Sequence, residues 1–240
     1  MAVRIILVGT THPGNIGAVA RAMKNMALKD LMLVNPRYFP HEDATARASG
    51  AEDILEAATV ADSLAQALAD CVYAAGASAR SRAIDWPCME PRECAARLIQ
   101  ESAGGTVAIV FGPEKSGLTN EDLDRCNTLL TIPTNPAFSS LNIAMAVQII
   151  CYELYLSQHI APEPQEPDVP RATSEEFEHF YNHLEVVLTD SGFLDPDKPR
   201  LLMRRLRRLF VKAEPDKNEI NILRGILTAL QPGHKKGAGK

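Results

Sequence analysis

The stretch Ile132-Pro-Thr-Asn-Pro-Ala-Phe-Ser-Ser-Leu-Asn-Ile-Ala-Met-Ala-Val147 decides how this chain folds. Two prolines stiffen its first part, and the second part begins a helix that is apolar on almost every side. A helix of that kind is buried on more than one face. It is either a central core helix or a helix whose second face is covered by another copy of the chain. Polar residues at its start, Ser139, Ser140 and Asn142, are harder to explain by packing alone.

Short β-rich runs alternate with helical patterns upstream of this stretch, which predicts an α/β fold with a parallel sheet and helices on both faces. The predicted strands are Arg4 to Val8, Asp30 to Val34, Val72 to Gly76, Val107 to Phe111 and Thr128 to Ile132. The predicted helices are Ile16 to Met26, Ser63 to Ala69, Pro91 to Glu101, Asn120 to Arg125 and Leu141 to Gln158. Ligands of such sheets bind beyond the carboxyl ends of the strands. The candidate site therefore lies in the loops 10–15, 77–82, 112–119 and 133–140.

Two of these loops carry residues suited to chemistry. The segment Pro13-Gly-Asn-Ile-Gly-Ala-Val-Ala-Arg-Ala-Met23 opens a helix whose free amides suit an anion, although Gly-Asn-x-Gly is also a common turn and Arg21 an ordinary surface residue. In Phe111-Gly-Pro-Glu-Lys-Ser-Gly-Leu118, two glycines indicate close backbone approach, and Glu114 stands at the carboxyl end of a strand. An exposed turn with a solvated carboxylate explains the second segment equally well.

The chain divides at a proline-rich segment. Residues 1–158 form the predicted α/β domain, called the catalytic domain because of the resemblance given below, 159–172 a stiff linker with four prolines, and 173–231 a small extension of three helices. The last residues, 232–240, have nothing apolar to pack and are predicted to be disordered. The second helix of the extension carries arginines on one side and leucines on the other, which is typical of a solvated amphipathic helix.

Composition excludes several classes of protein. No apolar segment reaches the roughly 20 residues of a membrane span, so no membrane insertion is expected. Five cysteines without metal-site spacing predict neither a disulfide framework nor a bound metal, and favour a cytoplasmic location. The formal net charge of -5 argues weakly against nucleic acid, but the arginines and lysines are locally concentrated.

Taken in this order and spacing, three segments resemble the three motifs of the SPOUT class of RNA 2'-O-methyltransferases: residues 13–23, 111–118 and 132–147. The segment Gly76-Ala-Ser-Ala-Arg-Ser-Arg82, followed by Trp86-Pro87 and Pro91-Arg-Glu-Cys94, is similar to the branch that methylates the tRNA anticodon loop. This resemblance covers residues 3 to 158. It implies a sheet whose C-terminal part forms a trefoil knot, a homodimer, S-adenosylmethionine as cofactor and tRNA as partner, without a role for DNA.

The resemblance also implies a role for particular residues. Arg21 matches the catalytic arginine of the first motif, with companions Asn15, Glu114, Ser140 and Asn142. The positions that match cofactor-binding residues are Ala77, Ser78, Ala79, Gly112, Ile132, Ser139, Ser140 and Leu141. With an RNA substrate, Arg80, Arg82, Arg204 and Arg208 become candidates for contacts with phosphates.

The expected reaction is methylation of the ribose 2'-oxygen of cytidine or uridine at nucleotide 32 of tRNA. An arginine is normally too basic to accept a proton, so whether Arg21 is the base or orients the hydroxyl stays open. The alternatives are methylation of another tRNA or ribosomal RNA site, a non-catalytic RNA-binding protein of the same fold, and a small-molecule enzyme.

Overall fold

A computed structural model describes residues 2–78, 86–160 and 169–231, with the side chains of 159 and 160 left out. In these ranges, seven parallel strands form one sheet in the order β3-β2-β1-β6-β4-β7-β5. The strands are β1 Val3–Val8, β2 Asp30–Val34, β3 Thr59–Ala61, β4 Cys71–Ala77, β5 Cys88–Met89, β6 Thr106–Phe111 and β7 Thr128–Leu130. The helices are α1 Pro13–Asn25, α2 Glu42–Ala48, α3 Glu52–Ala57, α4 Leu64–Leu68, α5 Pro91–Glu101, α6 Asn120–Leu123, α7 Ile143–Ile160, α8 Ser174–Asp190, α9 Leu202–Ala213 and α10 Lys217–Leu230.

Both faces of the sheet are buried, because successive side chains of each strand point to opposite faces. Ile5 and Ile109 pack with α1, α5 and α7 on one face, whereas Ile6 and Val110 pack with α4 and α6 on the other. The predicted parallel sheet with helices on both faces is confirmed. The trefoil knot stays a prediction, and residues 79–85 lie outside the described residues.

The predicted strands and helices are all present, with ends shifted by a few residues. The prediction missed α2, α3 and the short strands β3 and β5. Elements of two to seven residues are too short to show a hydrophobic period, so they left no clear signal in the sequence.

The glycines of the first motif let two helices approach closely. A methyl group at Gly17 of α1 would collide with the carbonyl oxygen of Ala44 in α2, and one at Gly14 would lie 3.4 Å from Cγ of Arg47. The Gly-Asn-x-Gly pattern therefore does more than form a turn. It allows α2 to lie against the first turns of α1 and brings Arg47 beside Gly14.

The helical extension is attached to the catalytic domain by ion pairs. Glu101, at the end of α5, is buried and lies 2.8 Å from Arg97 and 2.9 Å from Arg171. Arg97 also pairs with Glu214, which follows α9, at 2.6 Å. A buried carboxylate needs such partners, because desolvation of an unpaired charge is costly. These contacts fix the beginning of the extension against α5.

The boundaries predicted for the linker differ from the structure at both ends. Residues 159 and 160 still belong to α7, while Arg171 is ion-paired and Ala172 is buried in the core of the extension. Arg171 and Ala172 therefore pack with the folded chain. Residues 161–168 and the predicted disordered tail 232–240 lie outside the described residues.

We expect Gly17→Ala to lower the free energy of unfolding by about 1–3 kcal/mol, because the added methyl group forces α2 away from α1. Gly225→Ala is the matched control, since Gly225 lies within α10 and a methyl group there meets nothing within 4 Å. The control should stabilise the protein by roughly 0.5–1 kcal/mol through helix propensity. Urea unfolding of both variants measures the difference. Equal effects would contradict the close approach of the helices.

Candidate functional site

Four loops meet beyond the carboxyl ends of neighbouring strands β1, β6, β4 and β7. They enclose two adjoining cavities. The first, called the β6 cavity, has a volume of about 340 Å³ and is lined by Ala77, Ser78, residues 111–118, Leu130, Ile132, residues 139–141, Ile143 and Ala146. The second, called the α1 cavity, has a volume of about 390 Å³ and is lined by His12, Gly14, Asn15, Arg47, Glu114, residues 140–142 and Ile143.

The β6 cavity collects the residues predicted to hold a cofactor. Ala77, Ser78, Gly112, Ile132, Ser139, Ser140 and Leu141 all line it, whereas Ala79 lies outside the described residues. Apolar side chains and several serine hydroxyls share its wall. A mixed lining of this kind suits a ligand with an apolar body and a few polar groups.

The loop after β6 folds back on itself through its two glycines. A methyl group at Gly112 would overlap the peptide between Gly117 and Leu118, and the Gly117 amide donates to the carbonyl of Pro113 at 2.8 Å. Gly117 has a φ of +67°, a backbone conformation that favours glycine. This tight turn directs Glu114 toward the loop that follows β1.

Glu114 joins the first two motifs through its carboxylate. One oxygen, Oε2, accepts hydrogen bonds from the amide of Thr11 at 3.2 Å and from its hydroxyl at 3.0 Å. The other, Oε1, accepts from the side-chain amide of Asn15 at 2.8 Å and from the amide of His12 at 3.4 Å. Both oxygens are thus occupied by neutral donors from the loop after β1 and from the first turn of α1.

The third motif is joined to this group through Asn142. Its Nδ2 donates to Oδ1 of Asn15 at 3.2 Å, and its Oδ1 accepts from the amide of Ala144 at 2.9 Å, in the first turn of α7. Glu114, Asn15 and Asn142 therefore form one hydrogen-bonded chain, which we call the Glu114 chain. It lies at the α1 cavity, beside the wall that this cavity shares with the β6 cavity: Glu114, Ser140, Leu141 and Ile143.

The electrostatics of Glu114 follow from these contacts. Partial burial alone would raise the pKa of Glu114, but the hydrogen bonds from Asn15 and Thr11 together outweigh it and hold the pKa below its usual range. Glu114 is therefore a carboxylate at neutral pH. It accepts hydrogen bonds and has no proton of its own to donate.

The structure places other predicted residues away from the Glu114 chain. Arg21 is exposed on α1 and lines neither cavity. Arg204 lies 2.7 Å from Asp124 beside α6, so this arginine attaches α9 to the catalytic domain. Arg208 is half-buried on the same helix, and Arg80 and Arg82 lie outside the described residues. The solvated face expected for this helix is wrong at Arg204 and at Arg207, which pairs with Glu178 at 2.6 Å.

Three residues of the site were missed by the sequence analysis. His12 contributes through its backbone amide, which every residue has, and Thr11 through its amide and its hydroxyl. Their acceptor, Glu114, is about a hundred residues away, so no local pattern marked them. Arg47 belongs to α2, a helix that was not predicted. Among the described residues, no group of three or more His, Cys, Asp or Glu side chains is arranged to hold a metal ion. In the described part of the chain, no helix is long and apolar enough to cross a bilayer.

Comparison with known proteins agrees with this geometry. The SpoU rRNA Methylase family model matches residues 2–152, and the model for the C-terminal domain of the tRNA methyltransferase TrmJ matches residues 175–239. A Photorhabdus laumondii tRNA (cytidine/uridine-2'-O-)-methyltransferase TrmJ is 50% identical over 98% of both chains. A Pseudomonas aeruginosa tRNA (cytidine/uridine/adenosine-2'-O-)-methyltransferase TrmJ is 52% identical over 95% of this chain and 93% of its own.

A solved structure extends the likeness to three dimensions. TrmJ from Z. mobilis ZM4 superimposes with a TM-score of 0.84 at 38% identity, covering 96% of this chain and 99% of that chain. With a family model that matches residues 2–152, the chain belongs to the SpoU methylase family, and its fold agrees with that class. Within that class, the chain belongs to the TrmJ family of tRNA methyltransferases.

We expect acid to remove the stabilising contribution of Glu114. Because the pKa of Glu114 is lowered by folding, this contribution is present above the unfolded pKa of about 4.3 and is lost as pH falls through the folded pKa. The difference in free energy of unfolding between wild type and Glu114→Gln should therefore shrink from neutral pH to about pH 3. Urea unfolding across this range measures it. Glu56→Gln, an exposed carboxylate on α3, is the control. A difference in free energy of unfolding that stays constant with pH would contradict the lowered pKa of Glu114.

Proposed function

We propose that this protein transfers a methyl group from S-adenosylmethionine to the ribose 2'-oxygen of cytidine or uridine at nucleotide 32 of tRNA. The observation that carries the proposal is the pair of cavities joined at Glu114, Ser140 and Leu141. A group bound in one cavity can reach a group bound in the other across this shared wall. The names of the relatives support tRNA as substrate and the 2'-oxygen as acceptor.

The β6 cavity is the proposed cofactor site. Its volume and its mixed lining fit a nucleoside joined to an amino acid, and Ser78, Ser139 and Ser140 offer hydroxyls for the polar groups. When bound, the cofactor supplies a methyl group on a positively charged sulfur. A side chain at Gly112 would collide with the peptide between Gly117 and Leu118, so glycine is needed for the tight turn at this wall.

The α1 cavity is the proposed site of the target ribose. The Glu114 chain fixes the amides of Asn15 and Asn142 before RNA binds, so little reorganisation is needed to hold a hydroxyl for in-line transfer. As the new bond to the 2'-oxygen forms, the hydroxyl must lose its proton. The ionised Glu114 positions Asn15 and is already occupied by its donors. Its role is to position its neighbours rather than to take that proton.

Arg21 is proposed as the group that orients the target hydroxyl together with a neighbouring phosphate. An arginine stays protonated under ordinary conditions, which favours orientation over proton abstraction. Because Arg21 is exposed and lines neither cavity of its own chain, the bound RNA or a second subunit must bring the reacting atoms to it. Its match to the first motif supports this role.

A homodimer is proposed from the surface of α7. Met145 is 62% exposed, Tyr152 48% and Tyr155 37%, and the three lie on one side of the helix. Large apolar side chains gathered in this way are typical of an interface. The opposite side of α7, including Val147, Ile150 and Leu154, is fully buried in the core.

A cytoplasmic location belongs to the same proposal, because the proposed substrate is tRNA.

The enzymatic test uses purified protein, S-adenosylmethionine and unmodified tRNA transcripts, with nuclease digestion and mass spectrometry of the products. We expect a 2'-O-methyl group on nucleotide 32 of transcripts with cytidine or uridine there. Adenosine transcripts should be included, because one relative's name contains adenosine. Arg21→Ala should slow transfer by about 10²-fold or more while cofactor binding persists.

Lys24→Ala is the control for that variant, because Lys24 is another cation of α1 and pairs with Asp53 on the surface. Its transfer rate should stay within about twofold of the wild type, as is usual for exposed ion pairs. Cofactor binding without methylated ribose on any tRNA would refute the proposed substrate. Methylation at another nucleotide would refute position 32 alone.

The dimer is tested by sedimentation. We expect the double variant Met145→Glu and Tyr152→Glu to sediment as a monomer, because two buried charges at an apolar interface lack partners. Ile222→Glu on α10 is the control, with an equally exposed apolar side chain, 62%, on another helix. This control variant should sediment with the same mass as the wild type. A double variant that keeps the wild-type mass would rule out the α7 surface as the interface.

A further inference from the structure

Arg47 is a charged residue of the α1 cavity that no motif accounts for. It lies near the end of α2, and the aliphatic part of its side chain lies along Gly14, whose added methyl group would be 3.4 Å from Cγ. The close approach of α2 to α1 at Gly17 sets this position. Arg47, which is exposed, thus reaches the rim of the cavity from an element outside the three motifs, and the packing of the two helices sets where its backbone lies.

The charges around the cavity leave the guanidinium without an anion. The carboxylate of Glu114 is occupied by Thr11, His12 and Asn15. Among the residues that the structure describes, Arg47 has no hydrogen bond or ion pair. A guanidinium has five donors in a planar fork that matches the oxygens of a phosphate. A cation held at a cavity without a protein partner is therefore suited to an anionic ligand.

We propose that Arg47 binds a backbone phosphate of the RNA strand next to the nucleotide that enters the α1 cavity. This inference rests on the proposed function, because it takes the α1 cavity to be the ribose site. The carboxylate of the cofactor is the other anion of the reaction. Arg47 does not line the β6 cavity proposed for that cofactor, which favours the phosphate. Arg47 is thus a substrate-positioning residue.

The test measures binding without methyl transfer. Fluorescence anisotropy with labelled tRNA gives Kd over a range of salt concentrations for wild type, Arg47→Ala and Arg47→Lys. Loss of one phosphate contact should weaken binding about tenfold in Arg47→Ala and reduce the slope of log Kd against log salt by roughly 0.7–0.9. Arg47→Lys should keep the slope, because a lysine still neutralises the phosphate, with an intermediate Kd.

Arg92→Ala is the matched control, because Arg92 is an arginine on α5 whose side chain is 83% exposed and lies 3.4 Å from Glu153, a loose ion pair at the surface. It should leave both Kd and slope unchanged. Calorimetric titration with S-adenosylmethionine should give the same Kd for wild type and Arg47→Ala. An unchanged slope in Arg47→Ala would overturn the proposal, whatever the change in Kd, because a packing role along Gly14 changes affinity without releasing a counterion.

Weakened binding of S-adenosylmethionine by Arg47→Ala would also overturn it, since Arg47 would then serve the cofactor. The two proposals fail in different ways. Suppose that the slope of log Kd against log salt falls in Arg47→Ala as expected, but the wild type methylates no ribose. This result would refute the proposed function and leave the phosphate contact in place. If the wild type methylates tRNA but the slope of log Kd against log salt is the same in Arg47→Ala, only the phosphate contact is refuted.

Discussion

The carboxylate of Glu114 is the interaction on which the site depends. Its two oxygens accept four hydrogen bonds from Thr11, His12 and Asn15, across about a hundred residues of sequence. Each bond is made by a neutral donor, so the charge stays on the carboxylate and the loop after β1 is held against the loop after β6. Asn15 then bonds to Asn142 and fixes the start of α7. Glu114 is thereby fixed as one residue of the wall that the two cavities share.

The rest of the fold supplies the frame for that chain. A parallel sheet buried on both faces brings the ends of β1, β6, β4 and β7 side by side. Helix α2 lies so close to α1 that only glycine fits at Gly17, and this approach delivers Arg47 to the cavity. Buried Glu101 attaches the extension through Arg97 and Arg171. The extension therefore has a fixed place beside the catalytic domain, where a long substrate such as tRNA can contact both.

Much of this could be predicted from the sequence, for identifiable physical reasons. Strands buried on both faces give continuous apolar runs, and long helices give a clear period, so the parallel sheet and α7 were predictable. The residues around the β6 cavity were found through a resemblance to known motifs. Arg47 was not predicted, because its helix is short and Gly14, against which its side chain packs, is distant in sequence. The ion pair of Arg204 with Asp124 was not predictable, because a contact across eighty residues leaves no local pattern.

The assignment of the two cavities to cofactor and ribose is tested most directly by a crystal structure of the protein with S-adenosylhomocysteine and an anticodon stem-loop of tRNA. We expect the cofactor product to occupy the β6 cavity, with its sulfur facing the wall formed by Glu114, Ser140 and Leu141. The target ribose should then occupy the α1 cavity, beside Asn15 and Asn142. The assignment of the β6 cavity would be contradicted by density for the cofactor elsewhere. The assignment of the α1 cavity would be contradicted by a ribose bound away from the Glu114 chain.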